Sequence, residues 1–212
     1  MGQPMFPKKS NTLVPEGPRP SFSRGTLKDA MPLIMEHHYT KRRTADPMHV
    51  FLWSLSGEIV ATAVFTSPVN KYFGKGAIEL ARLVRLPSMN FPLTMFLSEC
   101  FRWLKKNTKI LYCLSYADST VGHVGTIYQA SNFTFVAISK GNSQYRNDAT
   151  GKIVSGRSFD QHAAGNKAGW TKLKTGKKYL YVYPLHEKRE RLLARFGWEP
   201  LAFIKKDGWD LV

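Results

Sequence analysis

The chain is poor in cysteine and in negative charge. Cys100 and Cys113 are its only two cysteines in 212 residues. They are not spaced as a metal-binding pair, and both sit in apolar stretches. They read as buried thiols, so no disulfide framework is expected. Asp and Glu number 15 against 31 Lys and Arg, a net charge of +16. A polyanionic partner is the economical explanation, because Lys and Arg gain affinity by releasing counterions from a phosphate backbone. A merely soluble basic protein and contact with anionic lipid are the plainer alternatives. No run of 18 or more apolar residues exists, which excludes a transmembrane helix. Met1-Gly2-Gln3-Pro4-Met5-Phe6-Pro7-Lys8-Lys9 lacks the apolar stretch of a secretory signal, so a cytoplasmic protein with no membrane partner is expected. Also absent are paired CxxC, a Walker loop, GxGxxG, and the Asp/Asn-Pro-Pro-Tyr segment of adenine methyltransferases.

What is present suits one domain. Hydrophobic residues make up 43% and aromatics 13%, enough for a real core at this length. Residues 1–22 carry Pro4, Pro7, Pro15, Pro18 and Pro20 and read as an extended arm. Residues 23–212 then form a single domain. Ser23-Arg24-Gly25-Thr26 caps a helix with the stripe Leu27, Ala30, Met31, Ile34, Met35, which ends near Glu36-His37-His38-Tyr39. Residues 50–55 and 59–65 form a hairpin about Ser56-Gly57. Residues 77–86 are a strand. Pro92 opens a helix with the stripe Leu93, Phe96, Leu97, Cys100, Phe101, Leu104. Residues 110–115 are a strand buried on both faces, and 118–125 turn into a short helix over 126–130. Strands follow at 133–138 and 179–184, and a basic helix at 187–196 is closed by Gly197. Residues 139–178, rich in Gly, Ser, Asn, Lys and Arg, read as a basic insertion with little regular structure. The order implies a mixed α/β sheet in one twisted layer.

That order resembles the GCN5-related acyltransferase fold, with an early helix, a β-meander, a long helix after the fourth strand and a splayed central strand pair. In such enzymes the cofactor pyrophosphate lies on backbone amides where the long helix begins. The matching stretch is residues 86–92, and the resemblance makes Leu83, Val84, Arg85, Ser88 and Asn90 the candidate cofactor residues. The segment departs from the Gly-rich pattern that starts with Arg or Gln. The run from Ser115-Tyr116-Ala117-Asp118 through Gly122-His123-Val124-Gly125 to Tyr128 and Asn132-Phe133 resembles the phage Mom family, as do Glu79-Leu80-Ala81-Arg82-Leu83 and His38-Tyr39. That resemblance covers roughly residues 25–140. It implies transfer of a methylcarbamoyl-type group to the exocyclic amine of adenine in double-stranded DNA, which shields phage DNA from restriction in the host cytoplasm. Acetyl-CoA or a related donor is implied. Iron has also been entertained for this chemistry, but the sequence shows no clear ligand set.

Such chemistry needs a proton acceptor, a donor to developing negative charge, and access to a flipped base. Asp118, past a buried strand, suits proton acceptance, or an N-cap. Ser115 suits hydrogen bonding to a donor carbonyl, or a buried hydroxyl bonded to backbone. Tyr128 falls where related enzymes place an acid, and a phenol pKa near that of a thiol suits it; an aromatic core position is the alternative. His38 is a candidate base or ligand and Tyr39 a stacking platform. Arg82, mid-strand in an apolar context, is expected to pair with Glu79, Asp118 or a ligand. His123 has no single assignable role. Lys41, Arg42 and Arg43, with Arg146, Arg157, Lys167, Trp170, Lys172, Lys174, Lys177 and Lys178 of the insertion, are the expected DNA contacts. Two other readings stay open: an N-acyltransferase on a small molecule or peptide, and a non-enzymatic nucleic-acid-binding protein. The donor, the DNA sequence preference, the metal and the oligomeric state are not readable from the residues.

Overall fold

The computed structural model describes residues 17–204 except Asn142, Arg157, Gly165 and Lys174. Most of the proline-rich arm, with Arg157 and Lys174, therefore lies outside the described residues. The elements are β1 Ser21–Arg24, α1 Leu27–His37, β2 Pro47–Leu55, β3 Glu58–Thr66, β4 Ala77–Arg85, α2 Leu93–Asn107, β5 Tyr112–Asp118, α3 Thr126–Ala130, β6 Thr134–Lys140, β7 Gln144–Asn147, β8 Ile153–Ser155, α4 Phe159–Ala163, β9 Trp170–Leu173, β10 Lys177–Pro184 and α5 Arg189–Phe196. Seven strands form one sheet in the order β1-β2-β3-β4-β5-β10-β6. Within it only β4 and β5 run parallel.

Strand alternation sorts the core onto two faces. On the meander, Val50, Leu52, Val64 and Val84 meet Ala30, Leu33 and Ile34 of α1. Phe51, Trp53, Ala61, Ala63 and Phe65 face the other way, against Phe96, Leu97, Cys100, Phe101 and Leu104 of α2. On β5 and β10, Tyr112, Leu114, Leu180 and Val182 pack with Leu192 of α5, whereas Cys113, Ala117 and Tyr181 join the α2 cluster. Thr26 and Asp29 close a capping box that fixes the start of α1, a device worth about 1 kcal/mol.

Three details differ from the sequence reading. Ser21–Arg24 is an edge strand paired with β2, because Phe22 stacks on Phe51 at 5.3 Å and joins the core. The buried stripe of α1 runs through Leu33, while Met35 is 46% exposed. The insertion is folded as well: β8-β7-β9 is a separate three-stranded sheet. Its core is Val154, Phe159 and Ala163 with Tyr145 and Trp170 packed against them, and Tyr145 stacks on Phe159 at 3.8 Å. Strands of three or four residues are too short to show periodicity, and the aromatics that hold them lie 14 and 11 positions apart in sequence.

The insertion is held to the main sheet at its root. Gly141 N–H donates to Gly176 O (2.8 Å), Gly176 N–H to Thr120 Oγ1 (2.8 Å), and Lys177 N–H to Ser119 Oγ (2.6 Å). Gly125, just ahead of α3, has φ +84, and a Cβ there would lie 2.3 Å from the Tyr181 ring. Gly125→Ala is therefore expected to cost about 2–4 kcal/mol, from backbone strain plus overpacking, and to lower Tm by roughly 5–10 °C in a calorimetric scan. An unchanged Tm would contradict this packing.

Candidate active site

The site arises where the parallel ladder fails. β4 and β5 pair only from Ala77–Glu79 to Tyr112–Leu114. Both strands continue, to Arg85 and Asp118, and diverge. The first carbonyl left stranded by the split, Leu80 O, accepts from the Ser115 hydroxyl at 2.9 Å. An extra residue, Ala81, bulges from β4 between the pairs Val64–Arg82 and Phe65–Leu80. Bulges of this kind re-aim side chains beside active sites. Here the freed Ala81 carbonyl accepts from Arg82 Nη1 at 2.7 Å. A cavity of about 690 Å³ occupies the split and is lined by residues from both faces of the sheet.

On the α1 side the cavity is polar and aromatic. His38, Tyr39 and Arg42 come from the end of α1, Glu79 and Arg82 from β4, Tyr116 from β5, His123 from the loop before α3, and Lys140 and Lys178 from β6 and β10. Tyr39 stacks on His38 (4.5 Å between ring centres) and meets His123 edge-on at 5.1 Å. His38 Nδ1 accepts the Thr40 backbone N–H at 3.1 Å and lies 2.8 Å from Thr40 Oγ1. Burial first, then the nearby Arg82 charge, pulls its pKa down to about 4. At neutral pH His38 is an uncharged ring with its free proton on Nε2. That replaces the expected base with a hydrogen-bond donor.

Arg82 does not form the expected ion pair with Glu79 or Asp118. Beyond its bond to Ala81 O, its buried Nε has no partner among the described residues. Burial lowers its pKa from the ordinary arginine value without threatening its charge. Asp118 is held instead by Lys178, and its Oδ1 accepts Thr120 N–H at 2.9 Å. These bonds outweigh burial and hold its carboxyl below the usual range. The N-cap reading of Asp118 is the one its contacts favour, and Lys178, expected on DNA, neutralises it. Glu79 lay unclaimed beyond its supposed pairing with Arg82. Its carboxyl is pushed up by burial while the Val69 N–H and Arg82 pull it back. A carboxylate inside an otherwise apolar strand was the available signal.

On the α2 side the lining is mostly apolar: Leu83, Leu93, Ile127 and Tyr128. Burial pushes the Tyr128 phenol up to about 12, tempered by a side-chain hydrogen bond with Ser115. Tyr128 thus stays protonated, linked through Ser115 to Leu80 O. Ser115 is itself buried, and it supports the site from behind rather than lining it. Arg85 Nη1 donates to the Met89 and Phe91 carbonyls (2.5 and 3.0 Å) and clamps the turn before α2. Ser88 and Asn90 are exposed on that turn, outside the cavity.

The turn is a poor phosphate cradle. Pro87 and Pro92 have no N–H, Leu86 N–H is bound to Val60 O, Met89 N–H to Leu86 O, and Met95 N–H to Pro92 O. No glycine lets an anion approach. What the turn offers an anion instead is the N–H groups of Leu93 and Thr94 at the start of α2, which have no partner among the described residues. For iron, the described residues hold no group of three or more His, Cys, Asp or Glu that would bind a metal.

The remaining basic residues lie away from the cavity. Arg43 pairs with Asp46 at 3.2 Å, Arg146 approaches Asp148 at 3.8 Å, and Lys167 pairs with Asp160 at 3.3 Å. Lys41 is exposed, and Trp170 belongs to the small core. A second crevice, of about 830 Å³, separates the small sheet from the main one. Lys140, Lys172 and Lys177 line it with Ser119, Ser143 and Thr175. None of the three lysines has an ion pair among the described residues. Lys140 borders both cavities.

Solved acetyltransferases share the architecture at low identity. An IAA acetyltransferase from Bacillus cereus superposes with a TM-score of 0.51 at 10% identity, over 78% of this chain and 99% of that one. A Bacillus subtilis acetyltransferase in complex with CoA gives 0.50 at 11%, over 79% and 99%. An N-acetyltransferase from Staphylococcus aureus Mu50 gives 0.50 at 12%, over 79% and 99%. The fold is therefore of the GCN5-related acyltransferase type. No curated protein matches the sequence. Residues 21–200, from the edge strand β1 to just past α5, match the Mom protein family, and the chain belongs to that family.

Proposed function

We propose that this protein is a DNA-modifying transferase that moves a methylcarbamoyl-type group onto the exocyclic N6 amine of adenine, protecting phage DNA from restriction. The observation that carries the reading is the two-sided cavity. Its α1 side is cationic and aromatic, as a flipped base on a polyanion requires, and its α2 side is largely apolar, as a neutral acyl-type donor prefers. Family membership supports DNA modification, and the fold supports group transfer.

In this reading the adenine ring stacks on Tyr39, edged by His123. The N6 lone pair attacks the donor carbonyl carbon. A C–N bond forms and the bond from that carbon to its leaving atom breaks. Negative charge that gathers on the carbonyl oxygen meets the Arg82 guanidinium and the His38 Nε2–H, donors held in place before reaction. Glu79, raised by burial, takes the proton lost from N6. Tyr128, protonated at neutral pH, donates to the departing atom. The donor is left unnamed because the turn before α2 lacks a Gly-rich cradle that would single out coenzyme A, and no step depends on a metal. A small-molecule acyltransferase would have no use for the unpaired cations of the second crevice. A purely binding protein would have no use for a cavity set between two splayed strands.

Three outcomes follow. Nucleoside mass spectrometry of plasmid DNA from expressing cells should show a heavier deoxyadenosine with the wild type. Arg82→Ala should lower it by about 100-fold or more, the scale of losing one oxyanion donor; unmodified deoxyadenosine from soluble wild-type protein would overturn the reading. Neutralising Lys140, Lys172 and Lys177 together should reduce the slope of log K against log salt for duplex DNA by about 2–3, roughly one per phosphate contact. An unchanged slope would remove the crevice from the DNA path. Finally, His38 should titrate near pH 4 by NMR, with its neutral form protonated on Nε2. The folded pKa lies below the unfolded value of about 6.5. The stability contribution of neutral His38 is therefore complete above pH 6.5 and is lost as pH falls through 4. A titration near 6.5 would refute it.

A further inference from the structure

The β3–β4 loop, residues 67–76, displays apolar surface at the mouth of the cavity. Val69 and Tyr72 are 64% and 59% exposed, the highest values among the exposed large hydrophobic side chains of the described residues. Val69 and Asn70 border the cavity on its cationic side. The loop is firmly built. Asn70 Oδ1 accepts Tyr72 N–H at 3.0 Å and caps a 3-10 turn over Lys71–Phe73. Phe73 is buried beneath it, and the Tyr112 hydroxyl donates to Phe73 O at 2.7 Å. The Val69 backbone amide is near enough to the Glu79 carboxylate to pull its pKa down, and Tyr72 leans on Phe196 at 5.2 Å. Lys71 and Lys75 flank the tip.

A loop ordered from below by four separate anchors, yet apolar on its outer side, has already spent the entropy that an insertion into another surface would cost. The occupant is set by charge. The tip is flanked by lysines, borders a cavity that Arg42 also lines, and belongs to a chain of net charge +16. We propose that Val69 is a wedge that enters the DNA base stack where the target adenine has left it, with Lys71 and Lys75 on the neighbouring phosphates. Apolar wedges of this kind compensate the unstacking that base extrusion requires. The position also puts the wedge beside Glu79: both line the same cavity, and the carboxylate is the group proposed to face the extruded base. The inference rests on the DNA-modification reading.

The test uses the full chain, duplex DNA and chloroacetaldehyde, which reacts with unpaired adenine. Wild type should raise adenine reactivity. Val69→Ser, which alters an exposed side chain, should keep the melting temperature and keep DNA affinity within about threefold. It should lower adenine reactivity and cellular deoxyadenosine modification by about tenfold, on the scale of a few lost wedge contacts. Val69→Leu should restore both. Val69→Ser that exposes and modifies adenine as wild type does would overturn the wedge and leave the proposed function intact. Wild type that modifies adenine without raising its reactivity would also overturn it. Wild type that neither binds nor modifies DNA would sink both readings, so the two failures are distinguishable.

Discussion

The site depends on one broken ladder. Two parallel strands that stay paired bury their backbone groups in each other. β4 and β5 part after three residues, and the groups beyond must find other partners or line a space. The protein handles the first of them with Ser115, whose hydroxyl takes the Leu80 carbonyl, and the bulged Ala81 carbonyl with Arg82. What remains is a slot in the middle of a sheet whose two faces are covered by different helices. The two sides of the slot therefore differ in character by construction. One is shaped by the end of α1 and the other by α2 and α3.

The loop between β5 and α3 ties that slot to the rest of the basic surface. Asp118 ends β5, Ser119 and Thr120 hold the root of the insertion through two backbone amides, and His123 returns to the slot. Asp118 binds Lys178 at the same place. Three successive residues thus fasten the small sheet, and its lysine-lined crevice, at a set distance from the slot. A role for Asp118 in this fastening accounts for its low pKa and its buried contact, neither of which suits a proton acceptor at neutral pH.

The strands and helices of the main sheet were legible because each is long enough for its period to show. The stripe of α2 and the alternation of 50–65 dictate elements that the structure reproduces almost residue for residue. The cavity partnership of His38, Tyr39, Arg82 and Tyr128 was legible only through family resemblance, since these residues come from three distant segments. Two things were hidden for physical reasons. The fold of 141–176 rests on three aromatics with no local spacing rule. The partners of Arg82 and Asp118 depend on a one-residue bulge and on the register of β10 against β5, which brings Lys178 opposite Asp118. Neither has a sequence signature.

Histidine chemistry in the slot follows from the same crowding of positive charge. A histidine beside Arg82 and His123, half removed from water, cannot hold a proton near neutrality. The ring is then available either as a base or as a donor, and the Thr40 backbone decides between them. An amide N–H can only donate, so Nδ1 must accept and the proton must sit on Nε2. The base must be sought where burial raises basicity instead of lowering it, which is the effect of burial on a carboxylate. Glu79 is the carboxylate that lines the slot. In the proposed reaction a cationic environment thus divides the labour: histidine and arginine would donate, and glutamate would accept.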